Sequence, residues 1–153
     1  MFKSMMEKEL TKMKTLKRLR SFSIFWSLFI GIGALWGSIM MFTDPSGKMW
    51  WGMESLLTYL QTLPLSDIFF QNFIPSGIVL LLVNGLTNCI SFVLICKRHR
   101  YAALSAMFCG IILMLWIIVQ FFVFPFNFLS TFYFIFGVLQ AWTGYKYHKT
   151  CNL

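Results

Sequence analysis

The composition of this 153-residue chain excludes an ordinary soluble domain. Hydrophobic residues make up 58% of the chain, charged residues make up 12%, and the mean hydropathy is +0.72. A soluble domain of this size needs far more polar surface. The net charge of +8 does not indicate nucleic-acid binding, because the basic residues cluster beside long uncharged stretches. We therefore predict an integral membrane protein with no nucleic-acid partner.

Long uncharged stretches define the predicted membrane spans. A spanning helix needs about 20 apolar residues, and the last uncharged stretch is long enough for two spans that Pro125 and Asn127 separate. The predicted fold class is an all-α polytopic membrane protein in one domain, residues 1–153. Its four transmembrane helices are predicted at residues 22–42, 74–96, 102–124 and 128–145.

The distribution of basic residues predicts the orientation of these spans. Lys and Arg gather in segment 1–21, in the turn 97–100 and after the last span, whereas the connection 43–73 is poor in them. Cytoplasmic segments collect Lys and Arg, so we expect both termini in the cytoplasm and residues 43–73 on the outer face. We also expect the first helix to be retained, because no small-residue cleavage site follows it. The basic segment is either a helix along the inner leaflet or a topology anchor with a frayed start.

The outer connection opens with a turn signal and continues with a helical stripe. Asp44, Pro45 and Gly47 fit the first, second and last positions of a type I turn. Trp50 and Trp51 follow and favour the headgroup level of a membrane. Apolar residues recur at helical spacing at Met49, Met53, Leu56, Leu57, Leu60 and Leu63. We therefore predict a short amphipathic helix on the outer face, and we prefer a structural role for Asp44 in the turn to a catalytic one.

The predicted spans contain neutral polar residues and no Asp, Glu, Lys or Arg. Asn84 and Asn88 share one face of the second span, and the last two spans add Gln120, Tyr133 and Gln140. These groups either hydrogen-bond between helices or line a pocket for a small molecule or lipid headgroup. We favour the first interpretation, because a few amides are normal in a membrane bundle. Ion-coupled transport is disfavoured, since it needs an embedded charge.

Small and reactive residues add little to this interpretation. Gly31, Gly33 and Gly37 allow a close helix contact, either within the chain or across a homo-oligomer. The four cysteines lack the Cys-x-x-Cys spacing of thiol–disulfide enzymes, and we expect reduced packing residues. The two histidines lie among basic residues beside predicted spans. No pattern indicates a catalytic residue, a cofactor or a metal ligand.

Several short motifs resemble those of a known family. They are Asp44-Pro45-Ser46-Gly47, Asn84-Gly85, Trp116 with Gln120, and the stretch YFIFG in the last span. The chain is similar, over roughly residues 30–140, to an uncharacterised family of small bacterial four-helix integral membrane proteins. The resemblance implies a bacterial inner membrane and supplies no catalytic residues.

Two classes of function remain. The first is a non-enzymatic bundle that binds membrane lipids, an apolar ligand or a membrane protein partner. The second is a membrane-embedded enzyme that uses the outer carboxylates of Asp44, Glu54 and Asp67 as metal ligands or as acid and base. A transporter without ion coupling is a further alternative, because facilitated passage needs no embedded charge. The neutral polar residues of the spans and the Trp-rich outer segment favour the binding class.

Overall fold

The chain is helical throughout most of its described length. A computed structural model describes residues 2–49, 54–62, 66, 71–123 and 128–152. In these ranges the chain forms no strand, and its helices are α1 (Phe2–Thr43), α2 (Glu54–Leu60), α3 (Ile74–Cys96), α4 (Ala102–Val123) and α5 (Phe128–Cys151). The prediction of an all-α chain is confirmed for this part of the chain.

Three of the described helices are long and apolar enough to cross a membrane: α1, α3 and α4 as far as Phe122. This finding supports the predicted membrane location. The helix α5 includes the predicted span 128–145 but is not among the three. Its buried face carries Ser130, Gln140 and Thr143, and these polar side chains lower the apolar content of the helix. The fourth span therefore stays a prediction.

The helix α1 is longer than the predicted first span. It runs for 42 residues from the basic segment into the apolar part, which is about 63 Å at about 1.5 Å per residue. This length is roughly twice the hydrocarbon thickness of a bilayer. No proline or glycine occurs between Phe2 and Ile30, so no residue breaks the helix. The basic segment is thus a coaxial extension of α1 and is neither a separate helix nor a frayed start.

The helix α3 contains a widened turn. Residues Leu81–Leu86 are π-helical, between α-helical parts at Ile74–Leu80 and Thr87–Cys96. The dipeptide Asn84-Gly85 lies within the π-helical turn. Such single turns occur frequently at functional sites, which draws attention to Asn84.

The two ends of the bundle differ chemically. At one end Arg20 donates from Nε to the Ile95 carbonyl at 3.1 Å and from Nη2 to the Cys96 carbonyl at 3.0 Å. These carbonyls close α3, so a cation meets the negative end of that helix. We call this the basic end. The turn 97–100 follows directly, and Tyr147 of α5 packs in the same buried cluster as Ile95.

The opposite end, which we call the loop end, joins α1 to α3. There the Phe73 N–H donates to the Pro45 carbonyl at 3.0 Å. Phe73 is buried, so its side chain is packed within this end of the bundle. The chain direction of α3 is consequently opposite to that of α1.

Glycines bring α4 and α5 into backbone contact. A Cβ atom at Gly110 would clash with the backbone of Ala141, and one at Gly144 would clash with the backbone of Met107. Two helices approach this closely only where side chains are absent. The α4–α5 pair is therefore the tightest crossing that the described glycines form.

The glycines of α1 contact helices of the same chain. A Cβ at Gly31 would lie 3.4 Å from Asn88 Cβ in α3, and one at Gly33 would lie 3.0 Å from the Tyr133 hydroxyl of α5. Gly37 also faces α3. Of the two predicted alternatives, the structure shows the contact within the chain.

Gly110→Ala should lower the free energy of unfolding by about 1–3 kcal/mol, because the added methyl group meets rigid backbone. Gly31→Ala is the matched control, since its added Cβ meets only ordinary van der Waals contact, and helix propensity favours Ala. Denaturant unfolding of both variants in detergent measures the difference. Equal stability of the two variants would contradict the close α4–α5 crossing.

Candidate functional site

Polar side chains from four helices meet in the centre of the bundle. Gln140 Nε2 of α5 donates to Asn88 Oδ1 of α3 at 2.7 Å and lies 3.5 Å from Ser27 Oγ of α1. Ser27 Oγ donates to Ser91 Oγ of α3 at 3.3 Å, and Ser91 Oγ lies 3.2 Å from Ser105 Oγ of α4. We call Ser27, Asn88, Ser91, Ser105 and Gln140 the polar cluster. It links α1, α3, α4 and α5 by side-chain hydrogen bonds.

The buried face of α1 explains how the cluster is assembled. All but one of its residues are small, the exception being Ile30, and they recur mostly at three- and four-residue spacing: Ser23, Ser27, Ile30, Gly31, Ala34 and Ser38. Small side chains let neighbouring helices approach closely enough for their polar groups to meet. Among these residues, Ser38 Oγ donates to the Ala34 carbonyl of its own helix at 2.7 Å. Ser23 Oγ has no hydrogen-bond partner among the described residues. Of these three serines, Ser27 is therefore the one that extends the cluster into α1.

Asn84 lies one turn from the cluster and is not satisfied by it. Its backbone carbonyl accepts from Asn88 Nδ2 at 2.9 Å. Its side chain is 1% exposed, and neither Nδ2 nor Oδ1 has a hydrogen-bond partner among the described residues. Burial of an amide without a partner costs about 1–3 kcal/mol. Ser23 Oγ and Gln140 Oε1 are also buried without a partner, but Asn84 is the described amide in which neither polar atom is paired.

Two of the predicted site residues lie apart from the polar cluster. Gln120 Oε1 accepts from Ser130 Oγ at 3.4 Å, near the connection between α4 and α5. The Tyr133 ring packs 5.9 Å from the Phe136 ring and its hydroxyl faces Gly33. The structure thus brings Asn84, Asn88 and Gln140 together and leaves Gln120 and Tyr133 in other contacts.

Asp44 organises the turn at the loop end. The Gly47 N–H donates to the Asp44 carbonyl at 3.1 Å, and Gly47 has a φ of 72°. The carboxylate accepts from Ser46 Oγ at 2.8 Å on one oxygen and from the Met49 N–H at 2.7 Å on the other. Both oxygens of Asp44 thus take part in local structure, as a turn residue requires.

The other outer carboxylates do not join Asp44 in the described part of the chain. Glu54 lies 3.6 Å from Lys48 Nζ, and both side chains are exposed. Asp67 lies outside the described residues, as do Trp50, Trp51, Met53, Leu63, Pro125 and Asn127. Of the predicted amphipathic helix, the structure shows the seven residues of α2, which bury Leu57 and Leu60.

Two titratable groups at the basic end, Tyr147 and Cys151, have a raised pKa. Burial raises the pKa of Tyr147, and Cys151 adds to the rise, while Arg20 and Arg98 oppose it. Burial also raises the pKa of the Cys151 thiol, and the charge of Lys12 opposes this rise. A reactive cysteine needs a lowered pKa, so Cys151 lacks the activation of a nucleophile. Among the described residues, no group of three or more His, Cys, Asp or Glu is placed to hold a metal ion.

Sequence reasoning missed three features of the site. It did not identify Ser27 of α1 as a partner of α3, although Ser23 and Ser27 are four residues apart and share a face. It gave no indication of the π-helical turn around Asn84. It treated Arg20 as a topology signal, whereas Arg20 binds the last carbonyls of α3.

Comparison of the chain with protein-family models, with curated proteins and with solved structures gave no match. The resemblance to a four-helix bacterial family therefore rests on the short motifs alone. It stays a prediction.

Asp44→Asn should keep the stability of the wild type. The amide oxygen can accept from the Met49 N–H, and the amide nitrogen can donate to Ser46 Oγ, so both contacts survive. Asp44→Ala removes both contacts and should lower the free energy of unfolding by about 0.5–2 kcal/mol, by analogy with helix caps. Thermal unfolding of the two variants measures this. An Asn variant that folds normally and loses all function would instead indicate catalysis or cation binding.

Asn84→Leu and Asn88→Leu should affect stability differently. Asn88→Leu leaves Gln140 without its 2.7 Å partner and should cost about 1–3 kcal/mol. Asn84→Leu removes an amide that has no side-chain partner, so the variant should be within about 1 kcal/mol of the wild type or more stable. Denaturant unfolding in one detergent compares the pair. An equal loss in both variants would show that Asn84 is part of the hydrogen-bonded cluster.

Proposed function

We propose that this chain is a four-span protein of a bacterial inner membrane with both termini in the cytoplasm. The bonds of Arg20 to Ile95 and Cys96 support this, because they place the basic residues of α1 beside the turn 97–100. The positive-inside rule then assigns the basic end to the cytoplasm. The close packing of α5 along α4 through Gly110 and Gly144 supports a fourth span.

Within this bundle, we propose a non-enzymatic binding function centred on Asn84. The observation that carries the proposal is the side-chain amide of Asn84, which is buried and has no partner among the described residues. A ligand that both donates and accepts a hydrogen bond would satisfy this amide. The next residue, Gly85, faces the apolar side chains of Leu81, Leu35 and Ala34. The ligand class is therefore an amphiphile with a small hydroxyl- or carboxyl-bearing head and an aliphatic chain.

The polar cluster has a different role in this proposal. Asn88 and Gln140 are bonded to each other. Opening this bond would leave Asn88 Oδ1 without its partner and would leave Gln140 Nε2 only its 3.5 Å contact with Ser27 Oγ, which costs free energy for buried groups. The cluster therefore holds the helices together, whereas the Asn84 side chain has no hydrogen bond to give up when a ligand enters the bundle. The π-helical turn that carries Asn84 is consistent with this division, since such turns recur at functional sites.

The enzyme alternative receives less support. Both carboxylate oxygens of Asp44 accept hydrogen bonds within its own turn, and Glu54 pairs with Lys48 at the surface. A general acid or base needs a carboxyl group that is free to reach a substrate. The described part of the outer connection does not place two such groups together.

Cysteine labelling should test the four-span topology. In a variant whose four native cysteines are replaced by Ser, an impermeant thiol reagent added outside intact cells should label Ser46→Cys and Ser66→Cys. It should spare Ser4→Cys and Thr150→Cys until the cells are lysed. If the reagent labels Thr150→Cys from outside but does not label Ser4→Cys, the two termini lie on opposite sides and the chain has three spans. External labelling of Ser4→Cys would reverse the proposed orientation.

A thermal-shift experiment should test binding at Asn84. A monoacylglycerol, a fatty acid and a fatty alcohol of equal chain length are added to the purified protein, with the parent alkane as the control without a polar head. A ligand at a hundredfold excess over its Kd stabilises a folded protein by about 2.7 kcal/mol. We expect one of the polar compounds to raise the Tm of the wild type and to leave the Tm of Asn84→Leu unchanged.

The matched control variant for this screen is Ser38→Ala. Ser38 is buried like Asn84 but bonds only to its own helix, so Ser38→Ala should respond to the ligand as the wild type does. If no polar compound stabilises the wild type more than Asn84→Leu, the binding proposal at Asn84 is wrong.

A further inference from the structure

A basic and aromatic groove lies on the exposed face of α1 at the basic end. The residues that line it are Lys17, Arg18, Ser21, Phe22 and Phe25. They recur at three- and four-residue spacing and therefore share one side of the helix. The buried side of α1, which carries Ser23 and Ser27, points away from them. The groove consequently faces the surroundings of the bundle.

The groove changes character along the helix axis. Lys17 and Arg18 precede the uncharged part of α1, which begins at Ser21, whereas Phe22 and Phe25 lie within it. From Arg18 to Phe25 the helix rises by roughly 10 Å, at about 1.5 Å per residue. Two charges, a hydroxyl group and two aromatic rings thus follow one another. A glycerophospholipid presents its phosphate, its ester groups and its acyl chains in the same order.

The charge of the groove is not balanced by nearby acidic residues in the sequence. No Asp or Glu occurs between Glu9 and Asp44. The guanidinium carbon of Arg18 lies 5.7 Å from the centroid of the Phe22 ring, a cation–π contact that keeps the cation on the groove face. Arg20, only two residues later, is bound to carbonyls of α3 and does not contribute. The groove therefore suits an anion.

The aromatic end of the groove offers an apolar wall. Phe22 and Phe25 are 46% and 52% exposed. The Phe25 ring stacks on the Phe29 ring, with a centroid distance of 5.8 Å and an interplanar angle of 15°. Exposed, stacked rings at this depth are suited to an acyl chain and not to water.

We propose that this groove binds an anionic glycerophospholipid of the cytoplasmic leaflet. Lys17 and Arg18 contact the phosphate, Ser21 lies at the level of the esters, and Phe22 and Phe25 pack along an acyl chain. The proposal rests on the proposed membrane placement of α1. It does not depend on a ligand at Asn84, which is buried in the π-helical turn of α3.

Native mass spectrometry of the full-length protein in a neutral detergent tests the proposal. Phosphatidylglycerol and phosphatidylcholine with identical acyl chains are the two probes. We expect tighter binding of phosphatidylglycerol to the wild type. Each basic side chain should contribute roughly fivefold, so Lys17→Gln/Arg18→Gln should lose roughly 25-fold in phosphatidylglycerol affinity. Phe22→Ala/Phe25→Ala should also weaken the binding of phosphatidylglycerol, because the contact with the acyl chain is lost.

The matched control is Lys97→Gln/Arg100→Gln. It removes the same charge at the same end of the bundle from two exposed side chains outside the groove, and it should keep the affinity of the wild type. If this control loses as much phosphatidylglycerol affinity as Lys17→Gln/Arg18→Gln, the loss is an effect of net charge and the proposed site in the groove is wrong. Equal binding of the two lipids to the wild type would also contradict the proposed site.

Two further measurements separate the occupant and the two proposals. Inorganic phosphate should not displace phosphatidylglycerol at equal concentration; displacement would assign the groove to a free anion and overturn the lipid. Asn84→Leu should retain the preference for phosphatidylglycerol. Suppose that the wild type prefers phosphatidylglycerol but that no compound raises its Tm more than that of Asn84→Leu: only the proposed binding function at Asn84 then fails. If a compound does raise the Tm of the wild type alone but the preference for phosphatidylglycerol is absent, only the groove proposal fails.

Discussion

Pairing of polar groups inside an apolar bundle is the constraint on which this structure depends. The hydrogen bond from Gln140 Nε2 to Asn88 Oδ1, at 2.7 Å, joins two fully buried amides from helices that are distant in sequence. An unpaired amide in such surroundings costs free energy, whereas a paired one costs little. The Gln140–Asn88 pair therefore favours the one position of α5 along the axis of α3 at which the two amides meet. The hydroxyl groups of Ser27, Ser91 and Ser105 extend this selection to α1 and α4.

Close glycine packing and polar pairing support each other in this bundle. Gly137 and Gly144 flank Gln140 in the sequence, and both face α4, at Met114 and at the backbone of Met107 respectively. The missing side chains bring α5 close to α4, and Gln140 can then reach across to α3. The pairing is incomplete at three described side chains: Ser23 Oγ, Gln140 Oε1 and both polar atoms of Asn84 are buried without a hydrogen-bond partner. Asn84 differs from Gln140 because neither of its polar side-chain atoms is paired, and a buried polar group of this kind requires an explanation.

Some parts of the structure follow directly from sequence pattern. The predicted span 74–96 coincides with α3, and the turn signal at Asp44 corresponds to the Gly47 N–H bond to the Asp44 carbonyl. Local rules suffice in these cases, because apolar length and turn chemistry act within a few residues. The length of α1 was not predicted, since hydropathy marks where a helix is apolar and not where it ends.

Partner choice, by contrast, requires the packed structure. Gln120 and Gln140 are the same residue type in neighbouring helices, yet only Gln140 enters the polar cluster. Their difference arises from depth and rotation, which the α4–α5 glycine contacts determine. The sequence identifies the polar face of a helix but contains no local signal for the group that this face will meet. The same reasoning explains why Asn84 and Asn88, one turn apart, have different environments.

The rotation of α1 connects the interior of the bundle with its surface. Two residues apart on an α-helix differ by about 200° around the axis, so Arg18 and Arg20 face nearly opposite directions. Arg20 is held by the carbonyls of Ile95 and Cys96, which turns Ser27 toward α3. The same rotation turns Arg18, with Phe22 over its guanidinium group, toward the surroundings. The buried serine contact and the exposed basic groove are thus two results of one rotational position. Any change that rotates α1 about its axis must alter both together.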